Sequence, residues 1–229
     1  RVLRTEYGYD FAASTETAHR AFSLLEQGRL DEARVAMRTY YESRREDGLH
    51  VLALSGMAKI EALDKRLDEA EEHLGRVDAI LARARRLAPY YIGAYWTSRL
   101  LVDVLRMDAG RDAKRVKAAE KSAKLAVAAG RRIARERPEA LRWSGRAMAL
   151  RGEHDRALEL YGCALDEAQK LGAAPELART CADIAAAVGQ GGDVVKHREL
   201  TAAQWRARAA ETFAGIGLIA EAKALGWER

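Results

Sequence analysis

Two octets that share the opening LDEA, LDEARVAM at 30–37 and LDEAEEHL at 67–74, recur 37 residues apart, counted between Ala33 and Ala70. A period near this length means that one supersecondary unit is reused and stacked. The clearest copy of the unit runs from Arg137 to Gly172, RPEALRWSGRAMALRGEHDRALELYGCALDEAQKLG. Pro138 suits the first turn of a helix, where its missing N–H is not needed. Leu141, Ser144, Gly145 and Met148 recur at helical spacing and give one narrow packing face. Gly152 breaks the helix, and Ala157, Leu160, Tyr161, Ala164 and Leu165 form a second face. Small residues at Gly145 and Ala157 allow two antiparallel helices to approach closely, with Tyr161 covering the gap. A lone hairpin cannot bury such faces, so similar hairpins must stack on it.

The set Gly145, Met148, Gly152, Ala157, Tyr161 and Ala164 resembles the signature of the tetratricopeptide repeat (TPR) family. Gly28, Ala33, Met37 and Ala21 align with Gly152, Ala157, Tyr161 and Gly145, and Ala70 and Leu74 continue the series. Lys65 stands where the turn glycine belongs. The resemblance implies an all-α fold, a right-handed superhelical α-solenoid of about five hairpins and a C-terminal capping helix. The expected repeats are about 14–45, 48–87, 89–137, 138–172 and 174–217, with the cap at 218–226, in one domain over 1–229. Ser14 or Thr15 is the expected first helix cap. The second repeat's second helix is expected to reach about Leu87. The helix from Pro89, apolar around much of its circumference, is expected to be buried on both sides. A long helix is expected over about Asp112 to Arg137, and another from the glycine-rich turn at 189–193 to about Ala214. Sustained β-type alternation is missing.

The segment from about Pro138 to Leu225 is also similar to C-terminal repeat regions of large bacterial signalling proteins, such as class III nucleotide cyclases and serine/threonine kinases. That likeness implies the regulatory or partner-binding part of a larger bacterial protein. The chain opens on Arg1 rather than Met, which fits a portion of something longer.

Catalytic patterns are missing from the sequence. The five histidines stand at 19, 50, 73, 154 and 197, and none lies four residues from another, so there is no H-E-x-x-H zinc helix. His154 reads as a solvated turn residue. The loop from Gly189 to Gly192 lacks the following Lys-Ser or Lys-Thr of a phosphate loop, and no G-x-S-x-G elbow is present. The expectation is a non-catalytic protein with no cofactor and no metal. Cys163 and Cys181 form no C-x-x-C pair and read as small core residues, which suits a reducing cytoplasm. No apolar run approaches the ~18 residues of a membrane span, and no signal peptide is visible.

Charge is unevenly placed. Between Arg111 and Arg137 ten basic residues face three acidic ones, in a chain whose net charge is only +5. Lys114, Lys117, Lys121 and Lys124 share a helical face that Arg131 and Arg135 extend. This reads either as a solvated outer face or as a phosphate-binding surface for nucleic acid; aromatics to stack on bases are missing from it.

In the TPR family, first helices line a groove that binds extended peptides. By alignment the groove positions are Phe22, Leu25, Lys59, Leu63, Arg99, Arg142, Arg146, Arg179 and Asp183. The implied groove is mostly basic with apolar patches, and arginine forks suit carboxylates. The expected partner is therefore another protein or an acidic or C-terminal peptide. Self-association stays open, nucleic acid is the alternative, and no membrane is involved. The lysine-and-asparagine carboxylate clamp of chaperone-binding members is not reproduced.

Overall fold

In a computed structural model of the chain, one turn recurs between helices. The structure describes residues 10–43, 46–84, 86–190 and 196–227. Helix α1 (Asp10–Glu26) is joined to α2 (Leu30–Glu42), α3 (Asp47–Leu63) to α4 (Leu67–Arg83), and α7 (Arg137–Leu150) to α8 (His154–Leu171). In each turn one residue takes the left-handed conformation: Gly28 (φ 69°), Lys65 (φ 63°) and Gly152 (φ 79°). The next N–H donates back to the carbonyl five residues earlier, Arg29 to Leu24 at 3.0 Å, Arg66 to Glu61 at 2.8 Å and Glu153 to Met148 at 3.0 Å. This is the Schellman closure, which satisfies carbonyls the helix end leaves open. Lys65 thus does the work of a glycine.

The chain falls into two compact units, residues 1–105 and 106–229. The division lies inside α5 (Pro89–Ala109), within the span expected for the third repeat. In the first unit α3 is enclosed by α2 and α4, and its Val51, Leu52, Ala53 and Leu54 are all buried. Four consecutive buried residues require neighbours around the whole helix. Tyr91 of α5 closes on α3 so tightly that a Cβ at Gly48 would stand 2.5 Å from its ring. Arg34 of α2 bridges to Glu61 at 3.0 Å and Asp64 at 2.6 Å.

In the second unit α6 (Ala113–Gly130) packs on α7, α7 on α8, and α8 on α9 (Ala174–Gln190). Asp112 caps α6 by accepting from the Arg115 N–H at 3.0 Å. A core of Leu158, Tyr161, Leu165, Ile184, Val188 and Trp205 is shared by α8, α9 and α10 (Ala202–Gly215).

Several boundaries differ from the sequence reading. Helix α1 begins at Asp10, so Ser14 and Thr15 fall inside it rather than capping it. Helix α4 stops at Arg83, short of Pro89. Helix α6 stops at Gly130 and a 3-10 turn over Ala134–Glu136 leads into α7, where Pro138 favours a fresh start. The long helix expected to lead into Ala202 is replaced by a small ribbon. There β1 (Lys196–His197) pairs antiparallel with β2 (Leu200–Thr201), with Arg198 (φ 47°) and Glu199 (φ 66°) in the left-handed region. Two consecutive positive φ values make the tight turn whose twist suits a hairpin. The ribbon is pinned by Arg198, which bonds Asp166 at 2.7 Å and the Gly162 carbonyl at 3.1 Å. The indole N–H of Trp205 donates to the His197 carbonyl at 3.0 Å. Thr201 and Gln204 then form a capping box that starts α10. Residues 191–195 of the glycine-rich turn lie outside the described residues.

The terminal helix α11 (Ile219–Ala224) is entered through the same Schellman turn. Gly217 has φ 80°, Leu218 donates to the Phe213 carbonyl at 2.9 Å, and Ala222 is fully buried like Ala33, Ala70 and Ala157.

Candidate functional site

The nine groove positions divide between the units. Leu25 is a core residue, 4% exposed, because it continues the stripe of Ala18, Ala21 and Leu24. Phe22 and Lys59 are half-buried and Leu63 is exposed. Arg99 sits among acids, with Glu71 at 2.6 Å, Asp78 at 3.2 Å and Asp103 at 3.9 Å. The Tyr95 hydroxyl donates to the same Asp78, and burial together with that bond raises the phenol's pKa.

In the second unit Arg142, Arg146, Arg179 and Asp183 do come together, on the neighbouring helices α7 and α9. Arg142 is buried, not presented as a free fork. Its Nε donates to Glu176 at 2.8 Å and one Nη to Asp183 at 3.2 Å, and its guanidinium lies 4.8 Å from the Trp143 ring centre. Arg179 donates to Glu176 at 3.0 Å. Arg146 reaches Asp108 at 3.2 Å and Asp183 at 3.5 Å. Burial alone would raise the Glu176 carboxyl, but the charges of Arg142 and Arg179 and their hydrogen bonds outweigh it and hold it down to about 2. Burial opposes the charge on Arg142, and Glu176 and Asp183 outweigh that too, so its pKa is raised. Three arginines thus meet three carboxylates. An incoming acidic group would exchange one ion pair for another, which yields little net attraction.

The lysine stripe behaves differently. Lys114, Lys117, Lys121, Lys124 and Arg131 are exposed, and none of their side chains makes a hydrogen bond or ion pair with a described residue. Arg135 does pair, with Glu136 at 2.8 Å. Beside the stripe lies a cleft of about 590 Å³ lined by α6, α7 and α8. Ala123, Val127, Met148 and Leu160 supply its apolar surface, and Lys124, Arg131, Arg151 and Arg156 its cations, with Glu120 the one acid among the lining residues. Arg151 is held by Glu120 and by Glu153 at 2.7 Å, and Arg156 by Glu153 at 3.0 Å. The charge run marked this region in the sequence; the cleft needs three helices and had no linear signal.

Cys181 is buried, and burial pushes its thiol up to about 11. Cys163 is exposed rather than a core residue, since it lies on the face of α8 opposite Tyr161 and Leu165. His154 opens α8 half-buried, less solvated than a free turn residue. Among the described residues no group of His, Cys, Asp or Glu could hold a metal ion, and no helix is long and apolar enough to cross a membrane.

No protein-family model matches this sequence, and no curated protein matches it either. Among solved structures the chain is similar to PlcR of Bacillus thuringiensis, determined in complex with the peptide PapR7 and DNA. That likeness has a TM-score of 0.75 at 10% identity and covers 96% of this chain and 76% of that one. A signal-transduction ATPase with a tetratricopeptide repeat sensor from Pyrococcus horikoshii matches with a TM-score of 0.58 at 16% identity, over 92% of this chain and 31% of that one. Kinesin-light-chain TPR-like repeats from Podosopora anserina match with a TM-score of 0.51 at 18% identity, over 88% of this chain and 95% of that one. These likenesses show the fold, an all-α array of TPR-like sequential hairpins.

Proposed function

We propose that this chain is a non-catalytic, cytoplasmic partner-binding module that recognises another protein or a peptide, as the regulatory part of a larger bacterial protein. The observation that carries this reading is the TPR-like hairpin array, similar over 96% of the chain to PlcR, which was solved with a peptide bound. The likeness to a repeat sensor that is one part of a longer ATPase supports the regulatory setting. Repeat arrays present extended surfaces suited to a partner. Titrating labelled acidic and free-C-terminal peptides against the full chain by fluorescence polarisation tests it. Binding should weaken in Arg146→Glu/Arg179→Glu, whose side chains are 37% and 27% exposed, if the first-helix face is used. Turnover of a nucleotide or peptide by the purified chain alone would refute the reading.

A second reading, nucleic-acid binding, is favoured by the lysines of α6, which lack described partners. Together with Arg131 they make five such cations along one line of the surface, which would give a steep salt dependence. Gel-shift titration with single- and double-stranded DNA and RNA at low salt decides it, and an interaction insensitive to salt removes it.

A further inference from the structure

The cleft beside the lysine stripe exists because α6 is built from small side chains. Ala119, Ala126 and Gly130 are buried and bring α6 close to α7; a Cβ at Gly130 would stand 3.0 Å from the Cα of Arg137. Ala123, Val127 and Ala128, next along the same helix, are too short to reach α8. The apolar floor of Met148 and Leu160 is left open beneath them. A neighbour with longer side chains would have filled this space to interior density.

We infer that this cleft docks an acidic, amphipathic segment of a partner protein. A bulky apolar side chain sits over Met148 and Leu160, and carboxylates on either side of it meet Lys124 and Arg131. The inference deepens the partner-binding reading and rests on it, but it places the partner on a face that the groove positions do not share. The argument is charge complementarity joined to shape. Four of the lining residues are cationic and one is acidic, and the acid is already taken by Arg151. Lys124 and Arg131 have no described partner, so a ligand carboxylate gains an ion pair without breaking one. The volume, about 590 Å³, falls within the usual range of ligand pockets.

Lys117, Lys124 and Arg131 follow one another at seven-residue intervals, so they lie nearly in line along α6, and the last two line the cleft. At 1.5 Å per residue that line is ~21 Å long, the span of about six residues of extended chain. A single small anion would use one of these cations. A nucleic-acid backbone would use all of them but leave the apolar floor in water. A peptide that carries both acids and an apolar anchor uses both.

The test uses the full chain and three labelled probes: a ten-residue Asp/Glu-rich peptide with a central Trp-Leu pair, the same peptide with Ser-Ser at the centre, and single-stranded DNA of equal charge. Fluorescence polarisation at low salt should rank the Trp-Leu peptide first. Its affinity should fall about tenfold in Lys124→Glu/Arg131→Glu, which replaces two attractions by two repulsions. It should also fall in Ala128→Phe, which fills the cleft from an exposed position and leaves the core untouched. Equal binding of the two peptides, unchanged affinity in Ala128→Phe, or DNA bound as tightly as the Trp-Leu peptide would overturn the inference. If peptide binding survives both cleft variants and is lost in Arg146→Glu/Arg179→Glu, the cleft assignment fails and the partner-binding reading stands. If DNA alone is bound, both fail.

Discussion

Gly145→Ala is the substitution that tests how the hairpins are packed. Gly145 lies seven residues before the turn residue Gly152, and the same register holds Ala21, Ala58 and Ala210, all buried. The facing position, nine residues after the turn residue, is Met37 in the first hairpin, Leu74 in the second and Tyr161 in α7–α8. Alanine therefore stands where the facing residue is slim, and glycine stands where it is an aromatic ring. The geometry explains the exchange: a Cβ on Gly145 would lie 2.6 Å from Cε1 and 2.7 Å from Cδ1 of Tyr161, with the Ala157 carbonyl oxygen 3.2 Å away. These are ring atoms of a side chain only 2% exposed, so the ring has nowhere to swing. Overpacking of this kind costs about 1–3 kcal/mol, and the helix propensity of Ala over Gly offsets about 1 kcal/mol of it. The net expectation is a loss of up to about 2 kcal/mol. Tyr161→Phe keeps the same ring carbons and should not rescue the variant. Tyr161→Leu recreates the Ala58/Leu74 combination of the second hairpin, and in that background Gly145→Ala should be neutral or stabilising. Urea unfolding of the four members of the Gly145→Ala/Tyr161→Leu cycle, followed by far-UV circular dichroism, gives the coupling directly. An equal penalty for Gly145→Ala with Tyr161 intact and with Tyr161→Leu in place would refute the reasoning.

Lys65→Gly should stabilise the first unit by about 0.5–1 kcal/mol, because relieving a left-handed lysine gains about 1–2 kcal/mol while the freer unfolded glycine takes back part; a lower denaturation midpoint would contradict this. Arg142→Met should cost about 3 kcal/mol by removing the buried partner of Glu176 and Asp183 and leaving them only the more exposed Arg179 and Arg146, whereas Arg146→Gln, half exposed, should cost under about 1 kcal/mol; the two melting temperatures separate these. The Glu176 carboxyl is lowered from 4.5 to about 2 in the folded chain, so its stabilisation is complete above the unfolded value and is lost as pH falls from 4.5 toward 2. The Tm gap between wild type and Glu176→Gln should accordingly narrow on acidification, and a gap that stays constant would count against the buried ion pair. Cys163 should react with a thiol reagent in the native state and Cys181 only on unfolding, as its burial and raised pKa require; equal rates would rule out that difference.

The helical hairpins were legible because their turns demand particular residues. Gly28 and Gly152 announce positive φ, and the alanine five residues later announces a close approach. The same spacing was present at Gly217 and Ala222, but Leu218 stands in the register of Arg29 and Ala220 in that of the aspartate of LDEA, and the segment read as a cap rather than as another hairpin. The two-residue strands of the ribbon carry no periodicity to detect. The arginine site was legible in position and not in state. Arg142 meets Glu176 and Asp183 from 34 and 41 residues away, and only packing of α7 against α9 brings a repeat-length separation within hydrogen-bond reach. The basic run on α6 could be counted in the sequence, whereas its lack of described partners follows from where the nearby acids are already committed.

The three-residue turns also set the order in which the chain can acquire structure. Each Schellman turn joins two helices whose facing residues are close neighbours in sequence, so their pairing closes short loops at small entropic cost. Chains dominated by such local contacts fold quickly, and a hairpin such as α1–α2 has all of its internal partners before α3 is made. Synthesis proceeds at about 5–20 residues per second, slow beside the formation of a helix. The hairpins can therefore be assembled one after another from the N-terminus, each new one finding a finished surface on which to bury its own.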